Sequence, residues 1–592
     1  MKVTSFILDY LVSKGVRHVF GITGGYITPL FDAFHGRTDI QYICMQNEQA
    51  AAMAADAYAR ITGFGCAIST SGPGATNLIT GIGCSYFDSV PVLFLTGQVP
   101  TGESKCETGV RQRGFQETDV VKIVRPITKY TAQMTNTQQI GFLLDYAYWQ
   151  MTNGRPGPAL LDMPMDIQMA DIDPATMNRY HAPRLSYSIH DTDIEKVVGM
   201  IAEARRPVII YGQGARHATA KLVQFIEMTG IPCLPSWAAL DMIPHDHPLF
   251  VSQFGVYGSR AGNFTVQNAD LIIAIGTRLD GRMTGKGFAP KAKTIVVDID
   301  PAEAQKHKHD VTIIADAGEF LDRMNKQVPT WEHLTELVEQ CPRDVKRDGK
   351  WIQIDGKPNA WRKRIADWKV RYPITASYTA DTIHPLTFIR ALNDALPDDA
   401  VIVSDSGANM SWVHQAWKIK GTQRLFSAYG YSPMGYALPA AIGAYYATGQ
   451  PVIAINGDGS MQMNIQELQT LKHYNIPVKL FILNNLSYGI IKQFQEELYD
   501  GRYEATDEAG GYSVPDFVSI AHAYGLHSNA AWYSIQVANI IKRTLGFPGP
   551  VVCDIEIDQD ARIFPKTCYG QPLHNQSPLL DPSEVEVNMA DE

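Results

Sequence analysis

Short apolar runs rich in β-branched residues alternate with longer stretches of helical periodicity along most of the chain. This alternation is typical of parallel sheets whose strands are joined by crossover helices. The runs fall into three sets and predict strands at residues 16–21, 40–45, 65–69, 90–96 and 159–163, then 207–211, 271–276, 294–298 and 311–315, then 401–405, 451–456, 477–483 and 550–555. The pattern predicts an α/β protein with three doubly wound parallel-sheet domains.

Changes in composition place the boundaries between these domains. We expect an N-terminal domain at 1–175, a central domain at 190–330 and a C-terminal domain at 386–560. Residues 331–385 are charged and rich in Trp, Lys and Arg, which predicts a helical linker or insertion. Residues 561–592 are rich in Pro, Asn and acidic side chains, and this composition predicts an extended tail that is not packed against the rest of the chain.

Composition and charge exclude several classes of partner. Hydrophobic residues make up 45% of the chain and charged residues 19%, which suffices for several large cores. A net charge of −10 argues against nucleic acid as the main partner, because phosphate binding needs a basic surface. The first residues do not have the pattern of a signal peptide, so we expect none. The sequence has no apolar run long enough to span a bilayer and no Cys-x-x-Cys among its eight cysteines. We therefore expect a soluble, cytoplasmic protein with reduced thiols and no membrane contact.

Two polar motifs follow neighbouring predicted strands of the C-terminal domain. Gly457-Asp458-Gly459-Ser460 comes directly after one strand and before a helical pattern that begins near residue 464, and Asn484-Asn485 ends the next strand. Either motif alone is usually a turn or a capped loop. Together, with 24 residues between Gly459 and Asn484, they would place hard oxygen ligands and exposed backbone N–H groups at one sheet edge. The pair predicts a Mg²⁺ site that holds a diphosphate.

This spacing resembles the signature of thiamine-diphosphate enzymes of the acetolactate synthase type. The likeness extends to segments 21–29, 47–50, 70–77, 115–118, 154–158, 276–285 and 434–442. The resemblance implies a pyrimidine-binding domain, a central domain and a diphosphate-binding domain in that order. It also implies a homodimer at the least, and possibly a tetramer, because in the family one subunit holds the pyrimidine and its partner holds the diphosphate.

The resemblance assigns the catalytic role to Glu48, which would hydrogen-bond the aminopyrimidine of thiamine diphosphate and promote its imino form. On local sequence alone, Glu48 is a carboxylate that stabilises a helix start. Asp458, Asn485 and the Ser487 carbonyl would bind Mg²⁺, and Met434 would wedge between the two cofactor rings. The family's usual Gln-His is Ala408-Asn409 here, which weakens that contact. The cofactor-binding residues implied are Gly24, Gly25, Tyr26, Pro73, Asn77, Gly407, Ala408, Asn409, Met434, Gly457, Gly459, Ser460 and Ile490.

A second nucleotide is implied for the central domain. Residues 212–214 form a glycine-containing loop after a strand, but no acidic residue follows about twenty positions later, so an NAD site is poorly supported. The resemblance instead implies FAD, whereas some relatives bind ADP there and others bind nothing. The FAD-binding residues implied are Arg155, Gly212, Gln213, Gly214, Gly276, Thr277, Arg278, Asp298 and Ile299.

The reaction implied is decarboxylation of a 2-keto acid, with pyruvate as the default, to an enamine that adds to a second carbonyl. The substrate residues would be Phe115, Gln116, Arg282 and Phe494. Phe494 stands where family synthases carry the Trp that selects a second keto acid, and Met165 and Gly281 replace a Lys and an Asp. The acceptor pocket is thus altered, and residues 569–572 are candidates for a lid over it.

Four functions stay open at this point. The first is a carboligase like acetolactate synthase, and the second is a carboligase whose acceptor is an aldehyde or a nucleotide keto-sugar. The third is a flavin-dependent oxidoreductase like pyruvate oxidase, and the fourth is a non-catalytic scaffold. The absence of any His-His pair, which simple decarboxylases of the family carry, favours carboligation.

Overall fold

The computed structural model describes residues 1–106, 108–183, 187–327, 344–347, 350–353, 360–374 and 381–590. Three parallel sheets follow one another along the chain, each with helices packed against it. The predicted fold class, three doubly wound α/β domains, is confirmed. Among the described residues, no helix combines the length and the apolar character that a membrane crossing requires.

The N-terminal sheet has six parallel strands. They are β1 His18–Gly21, β2 Gln41–Cys44, β3 Gly65–Ser69, β4 Val92–Gln98, β5 Tyr130–Gln133 and β6 Ala159–Pro164. The helices of this domain are α1 Val3–Ser13, α2 Thr28–Asp32, α3 Glu48–Thr62, α4 Pro73–Asn77, α5 Ile79–Phe87, α6 Val120–Val124, α7 Ile140–Thr152 and α8 Met165–Met169. The strand order is β2-β1-β3-β4-β6-β5, so the carboxyl ends of β1, β2 and β3 meet at one edge.

The central sheet has five parallel strands in the order β11-β10-β9-β7-β8. These strands are β7 Pro207–Tyr211, β8 Cys233–Pro235, β9 Leu271–Ile275, β10 Lys293–Asp298 and β11 Val311–Ile314. The helices of this domain are α9 Asp191–Glu203, α10 Thr219–Thr229, α11 Arg260–Asn268, α12 Gly281–Thr284, α13 Pro301–Gln305 and α14 Ala317–Gln327.

The predicted linker at 331–385 lies largely outside the described residues. Its described parts are a two-stranded antiparallel sheet, β12 Asp344–Arg347 with β13 Lys350–Gln353, and helix α15 Ala360–Arg371. The described part of the predicted helical linker or insertion therefore contains one helix and one pair of short strands, and the rest of that prediction lies outside the described residues. Trp361 and Trp368 of α15 are buried against the central domain, which accounts for the Trp-rich composition.

The C-terminal sheet has six parallel strands in the order β15-β14-β16-β17-β19-β18. These strands are β14 Val401–Ser404, β15 Arg424–Phe426, β16 Val452–Gly457, β17 Lys479–Asn484, β18 His527–Ala531 and β19 Val551–Glu556. The helices of this domain are α16 Pro385–Ala395, α17 Ala408–Ala416, α18 Ala437–Thr448, α19 Asp458–Met463, α20 Leu468–Tyr474, α21 Gly489–Leu498, α22 Phe517–Ala523 and α23 Val537–Gly546.

The prediction of an unpacked tail at 561–592 is wrong. The segment contains a short antiparallel pair, β20 Lys566–Thr567 with β21 Gln576–Ser577, and helix α24 Pro582–Met589. Leu573 is fully buried, and the Trp368 indole donates to Asn588 Oδ1 at 2.8 Å. Composition misled here, because a few buried side chains and their hydrogen bonds to the central domain suffice to order a polar segment.

Helices α3 and α18 join the N-terminal and C-terminal sheets, and both belong to one continuous hydrophobic core. Small residues allow the close approach, because a Cβ at Gly443 of α18 would lie 2.0 Å from the Ala54 carbonyl oxygen of α3. The main chain of these helices is therefore in contact where a larger side chain would separate them. This packing fixes the N-terminal and C-terminal candidate residues relative to one another within one chain.

Candidate functional site

The two C-terminal motifs lie together at the carboxyl edge of β16 and β17. These strands are paired in parallel with Gly457 opposite Leu483, and the Ser487 N–H donates to Asp458 Oδ2 at 3.3 Å. Helix α19 begins at Asp458 itself and not near residue 464, so the carboxylate sits within the first turn. Asp458 thus lies beside the loop that follows Asn484, and the approach of the Asn485 side-chain oxygen to it stays a prediction.

The environment of Asp458 suits a cation. Its side chain accepts from the Gly459 N–H at 2.6 Å and from the Tyr512 hydroxyl at 3.2 Å. Burial raises the pKa of Asp458 to about 7, because the charged form loses water, and no basic side chain in the described part of the chain pairs with it. The Asn485 amide nitrogen donates to Ser487 Oγ at 3.0 Å, which orients the amide and leaves its oxygen for a ligand.

No cluster of three or more His, Cys, Asp or Glu side chains that could hold a metal occurs in the described ranges. A Mg²⁺ ion at Asp458 would therefore take its other ligands from amide and carbonyl oxygens and from phosphate, which are the ligands it prefers. Two tyrosines leave no room for a side chain at residue 459. A Cβ on Gly459 would lie 2.3 Å from Tyr488 Cε1 and 3.1 Å from the Tyr512 hydroxyl. These tyrosines were not predicted, since nothing in the sequence places them beside residue 459.

Asp405, at the end of β14, organises the candidate diphosphate loop. Its buried carboxylate accepts from the N–H groups of Ser406, Gly435 and Ala437 at 2.8, 3.0 and 2.7 Å. Burial raises the pKa of Asp405 to about 6, and the Ser460 hydroxyl also bonds to it. The loop carrying Met434 is thereby tied to the start of α17. Asp405 was missed as a site residue, although its place before Ser406-Gly407 at a strand end was a usable signal.

The remaining C-terminal candidates occupy this same edge. Gly407 precedes α17 with φ +98, a conformation that favours glycine. The amide nitrogen of Asn409 donates to the Ile455 carbonyl at 3.1 Å, so this group faces the sheet. Ala408 is the first residue of α17, and Ile490 is the second residue of α21.

The N-terminal candidates meet at the carboxyl edge of β1, β2 and β3. Glu48 is the first residue of α3, is largely buried, and accepts from Asn77 Nδ2 at 2.9 Å. A Cβ at Gly74 would lie 3.1 Å from Glu48 Oε1, and one at Gly24 would lie 2.6 Å from the Thr70 Cβ. The structure thus brings together the predicted group Gly24, Glu48, Pro73 and Asn77.

The same edge offers unsatisfied polar atoms. The hydroxyl oxygens of Thr70 and Ser71 are buried and have no hydrogen-bond partner among the described residues. Gly25 has no atom within 4 Å of a built Cβ, and the Tyr26 carbonyl accepts from Gln168 Nε2 at 2.7 Å. Buried hydroxyls that lack partners fit a polar ligand such as an aminopyrimidine ring.

In the central domain, the loops after β7 and β9 touch. A Cβ at Gly212 would lie 2.2 Å from the Gly276 carbonyl oxygen, and one at Gly214 would lie 2.9 Å from the Gly276 Cα. The nearby side chain of Gln213 accepts from Arg216 Nε at 2.7 Å. Thr277 follows in the same loop and is buried. The glycines are therefore needed for contact between the two loops, whether or not a ligand is present.

Two of the predicted arginines converge on α13. Arg155 Nη1 lies 2.7 Å from Glu303 Oε1, and Arg278 Nε lies 3.4 Å from the same oxygen. Asp298 ends β10, and its carboxylate accepts from the Asp300 N–H at 2.9 Å; Ile299 follows it. The structure brings these predicted FAD residues to one edge of the central sheet and gives both arginines an acidic partner.

The predicted substrate residues lie in different domains: Phe115 and Gln116 in the N-terminal domain, Arg282 in the central domain and Phe494 in the C-terminal domain. Phe115 is 74% exposed, and Gln116, with φ +59, packs its carbonyl against Gly72. Arg282 lies on α12, close enough to Tyr257 for its positive charge to lower the pKa of that tyrosine. Burial has the larger effect and raises the pKa of Tyr257.

The ring of Phe494 lies 4.4 Å beneath Lys566 Nζ, a buried ammonium that also pairs with Glu497. Lys566 was missed because it belongs to the segment predicted as an unpacked tail.

Comparison with known proteins identifies the family. The model of the thiamine pyrophosphate enzyme N-terminal TPP binding domain matches residues 1–123, that of the central domain matches 194–324, and that of the C-terminal TPP binding domain matches 405–555. The chain belongs to the thiamine-diphosphate enzymes. Glu48 lies in the first of the two TPP binding regions and Asp458 in the second.

Relatives within this family are acetolactate synthases. An acetolactate synthase large subunit of Parasynechococcus marenigrum is 34% identical over 98% of this chain and 91% of its own length. A probable acetolactate synthase large subunit of Methanocaldococcus jannaschii is also 34% identical, over 99% and 96% of the two chains. A chloroplastic acetolactate synthase of Nicotiana tabacum is 32% identical over 96% and 84%. This thiamine-diphosphate enzyme is accordingly a carboligase of the acetolactate synthase type, as its sequence predicted.

Proposed function

We propose that the chain decarboxylates a 2-keto acid, with pyruvate as the first choice, and joins the remaining two-carbon unit to a second carbonyl compound. The observation that carries this proposal is the buried Asp458 carboxylate, which lies beside the Asn485 loop and has no basic partner in the described part of the chain. When bound, thiamine diphosphate supplies the nucleophilic carbon that adds to the keto group and takes up the electron pair released with carbon dioxide.

Asp458, the Asn485 amide oxygen and the Ser487 carbonyl are proposed to hold Mg²⁺, and the ion in turn fixes the diphosphate. Gly407, Ser460 and the N–H groups at the start of α17 surround the same position. Calorimetric titration tests this: thiamine diphosphate should bind at least about tenfold more weakly with EDTA than with Mg²⁺. Asp458→Asn should show the same loss in Mg²⁺, whereas the exposed control Asp500→Asn should bind normally.

Glu48 is proposed to hold the proton exchanged with the aminopyrimidine ring, and Asn77 to orient its carboxylate. Glu48→Gln keeps the shape and removes the ability to exchange a proton. We expect carbon dioxide release from pyruvate to fall by about 10²–10⁴, which is the usual contribution of acid–base catalysis. Magnesium-dependent binding of thiamine diphosphate should persist. Full activity in Glu48→Gln would exclude this mechanism.

A homodimer is proposed as the smallest active unit, with Glu48 of one subunit and Asp458 of the other completing each site. The support is that apolar side chains beside candidate residues from both domains are exposed in the single chain, among them Phe115, Leu486 and Ile491. Mixing inactive Glu48→Gln with inactive Asp458→Ala tests the arrangement. Mixed dimers would contain one intact site, so about a quarter of full activity should return. No recovery, once subunit exchange has been verified, would place both residues in one subunit's site.

FAD is proposed for the edge of the central sheet that carries Arg278 and Asp298, with ADP or an empty site as the alternatives. The support is the position of these residues at the carboxyl ends of β9 and β10, where nucleotides commonly bind. Absorbance of the purified protein and chromatography of the nucleotide released by heat distinguish the three cases. A pyruvate oxidase reaction would in addition bleach bound flavin when pyruvate is added anaerobically.

The acceptor is proposed to be a second 2-keto acid or a carbonyl compound that is not a keto acid, such as an aldehyde or a nucleotide keto-sugar. Arg282 can bind a carboxylate, which favours the first, while Phe494 beneath Lys566 departs from the tryptophan of the family synthases, which favours the second. Incubation with labelled pyruvate and a panel of acceptors, with products identified by mass spectrometry, decides between them. A chain that forms no product with any acceptor and releases no carbon dioxide would be a scaffold.

A further inference from the structure

A buried glutamate of the C-terminal domain contacts the main chain directly before Glu48. Glu467 ends the short 3-10 turn Ile465–Glu467, which follows α19, and its side chain is fully buried. Glu467 Oε1 accepts from the Gln46 N–H at 3.0 Å and from the Asn47 N–H at 3.1 Å. Oε2 accepts from the Thr470 hydroxyl at 2.7 Å. A carboxylate of the C-terminal domain therefore binds the turn between β2 and α3 of the N-terminal domain.

No ion pair compensates for the burial of the Glu467 carboxylate within the described part of the chain. Burial is the largest influence on Glu467 and raises its pKa to about 7, and no basic side chain in the described ranges pairs with it. Burying a carboxylate costs free energy unless hydrogen bonds replace those that it made to water. All three of its donors are accounted for above, and two of them belong to the residues immediately before Glu48.

The turn at 46–47 determines where the Glu48 side chain points. Asn47 has the extended φ/ψ of an N-cap, and its side chain accepts from the Gln49 N–H at 2.8 Å, so α3 begins at Glu48. Asn77 holds the far end of the Glu48 side chain at 2.9 Å. Glu467 is thus the contact that fixes the near end, through two peptide N–H groups.

We propose that Glu467 is a positioning residue for Glu48: its acceptor oxygens, delivered from the C-terminal domain, set the turn that aims the Glu48 carboxylate. The inference rests on the proposed role of Glu48 in activating thiamine diphosphate. It assigns Glu467 no contact with cofactor or substrate. Its contribution is geometric, so a neutral side chain with an oxygen in the same place should serve equally well.

Three substitutions separate geometry from charge. Glu467→Gln can place its oxygen at the Oε1 position, where it accepts both N–H groups, and its amide nitrogen beside the Thr470 hydroxyl, which can accept. Glu467→Asp keeps the charge but withdraws the oxygens by one methylene, and Glu467→Ala removes them. Thr470→Val is the matched control, because it removes only the hydroxyl that donates to Oε2 and leaves both peptide N–H groups bonded.

The main readout is exchange of the thiazolium C2 proton of bound thiamine diphosphate for deuterium, followed by NMR, alongside kcat, KM and cofactor affinity in Mg²⁺. We expect Glu467→Asp and Glu467→Ala to lower both the exchange rate and kcat by about ten- to a hundredfold, a part of what acid–base catalysis contributes. Cofactor affinity and KM should stay within about threefold of the parent. Glu467→Gln and Thr470→Val should exchange at close to the parent rate.

The outcomes are distinguishable from failure of the proposed function. If Glu48→Gln exchanges normally, the role of Glu48 is wrong and the proposed function fails with it. If Glu48→Gln is slow but Glu467→Asp exchanges at the parent rate, only the positioning role is overturned. A loss in Glu467→Gln as large as in Glu467→Asp would also overturn it, since charge would then matter and not geometry. If Glu467→Ala does not fold, Glu467→Asp against Glu467→Gln still decides the question.

Discussion

The Tyr436 hydroxyl donates to Asp56 Oδ1 at 2.6 Å, and both side chains are fully buried between the N-terminal and C-terminal sheets. Arg60 extends this contact, with Nε 2.7 Å from Asp56 and Nη2 2.8 Å from Asp88. Asp88 in turn accepts from the Gly430 N–H at 2.7 Å. The loop that carries Met434 is therefore held at both ends by acidic residues of the N-terminal domain.

Tyr436→Phe should destabilise the junction between the two domains. Asp56 keeps Arg60 and the Ser85 hydroxyl as partners, so the loss is that of one hydrogen bond to a charged group, about 2 kcal/mol. Calorimetry should show a midpoint of unfolding lower by several degrees. Tyr445→Phe, on the same helix region but half-buried, is the control and should change the midpoint little. An unchanged midpoint in Tyr436→Phe would show that the bond contributes no net stability.

Gly74→Ala should impair catalysis with little effect on folding. The added Cβ would lie 3.1 Å from Glu48 Oε1 and 2.9 Å from Thr70 Cγ2, so the Glu48 carboxylate must move by a few tenths of an ångström. We expect kcat to fall about tenfold, because a catalytic group held slightly out of place loses much of its effect. Gly102→Ala, where a Cβ meets nothing within 4 Å, is the matched control in steady-state assays. Equal kcat in the two variants would contradict the close approach.

The sequence predicted the interior of each sheet better than its edges. Every predicted strand is present, with ends that differ by no more than two residues, whereas four strands of the three parallel sheets were missed, namely β5, β8, β15 and β18. All four are edge strands. An edge strand is less buried or shorter, so its sequence lacks the continuous apolar run that marks a central strand of a parallel sheet.

The candidate site also contains residues that the sequence predicted and residues that it missed. The Asp458 motif was predictable because it follows a strongly apolar strand and pairs in spacing with Asn484-Asn485, whereas Glu48 was singled out only through the family resemblance. Glu467 and Asp405 were missed, since each bonds to main-chain N–H groups of a segment that is distant in sequence and is brought near by folding. For Glu467, these partners lie more than four hundred residues away along the chain. A contact with such distant partners leaves no mark in the local sequence, so only the folded structure reveals the role of Glu467. Asp405 differs, because its place at a strand end before Ser406-Gly407 was a usable signal.

Asp162→Asn should alter how stability depends on pH. Burial raises the pKa of Asp162 from 3.8 to about 6, although Thr96, Gln98 and Gln133 donate to it. A carboxyl whose pKa is higher in the folded state stabilises the fold below its unfolded pKa and loses that contribution as pH rises through about 6. Relative to Asp162→Asn, the parent should lose about 2 kcal/mol of stability between pH 4 and pH 7.

Urea titrations of both proteins near the two ends of that range measure this difference directly. The absolute stabilities are not needed, because only the change in their difference reports on Asp162. Asp171→Asn is the control: its carboxyl is exposed and pairs with Lys2 at the surface, so its difference from the parent should vary little over the same range. A parent-to-variant difference that is constant for Asp162→Asn would mean that the carboxyl titrates at its ordinary pKa.

Lys566→Met should change which acceptor the enzyme prefers. Lys566 Nζ lies 4.4 Å from the centre of the Phe494 ring and holds that ring in one orientation, while its pairing with Glu497 holds the ammonium in place. Removing the charge frees the ring and leaves Glu497 unpaired, so the ratio of products from competing keto-acid and aldehyde acceptors should shift several-fold. Carbon dioxide release from pyruvate should change much less, since neither residue contacts Glu48 or Asp458.

Phe494→Trp, which restores the family's residue, should raise the share of product from the second keto acid. Competition assays read by mass spectrometry test both variants, and an unchanged product ratio in both would remove Phe494 from the acceptor pocket.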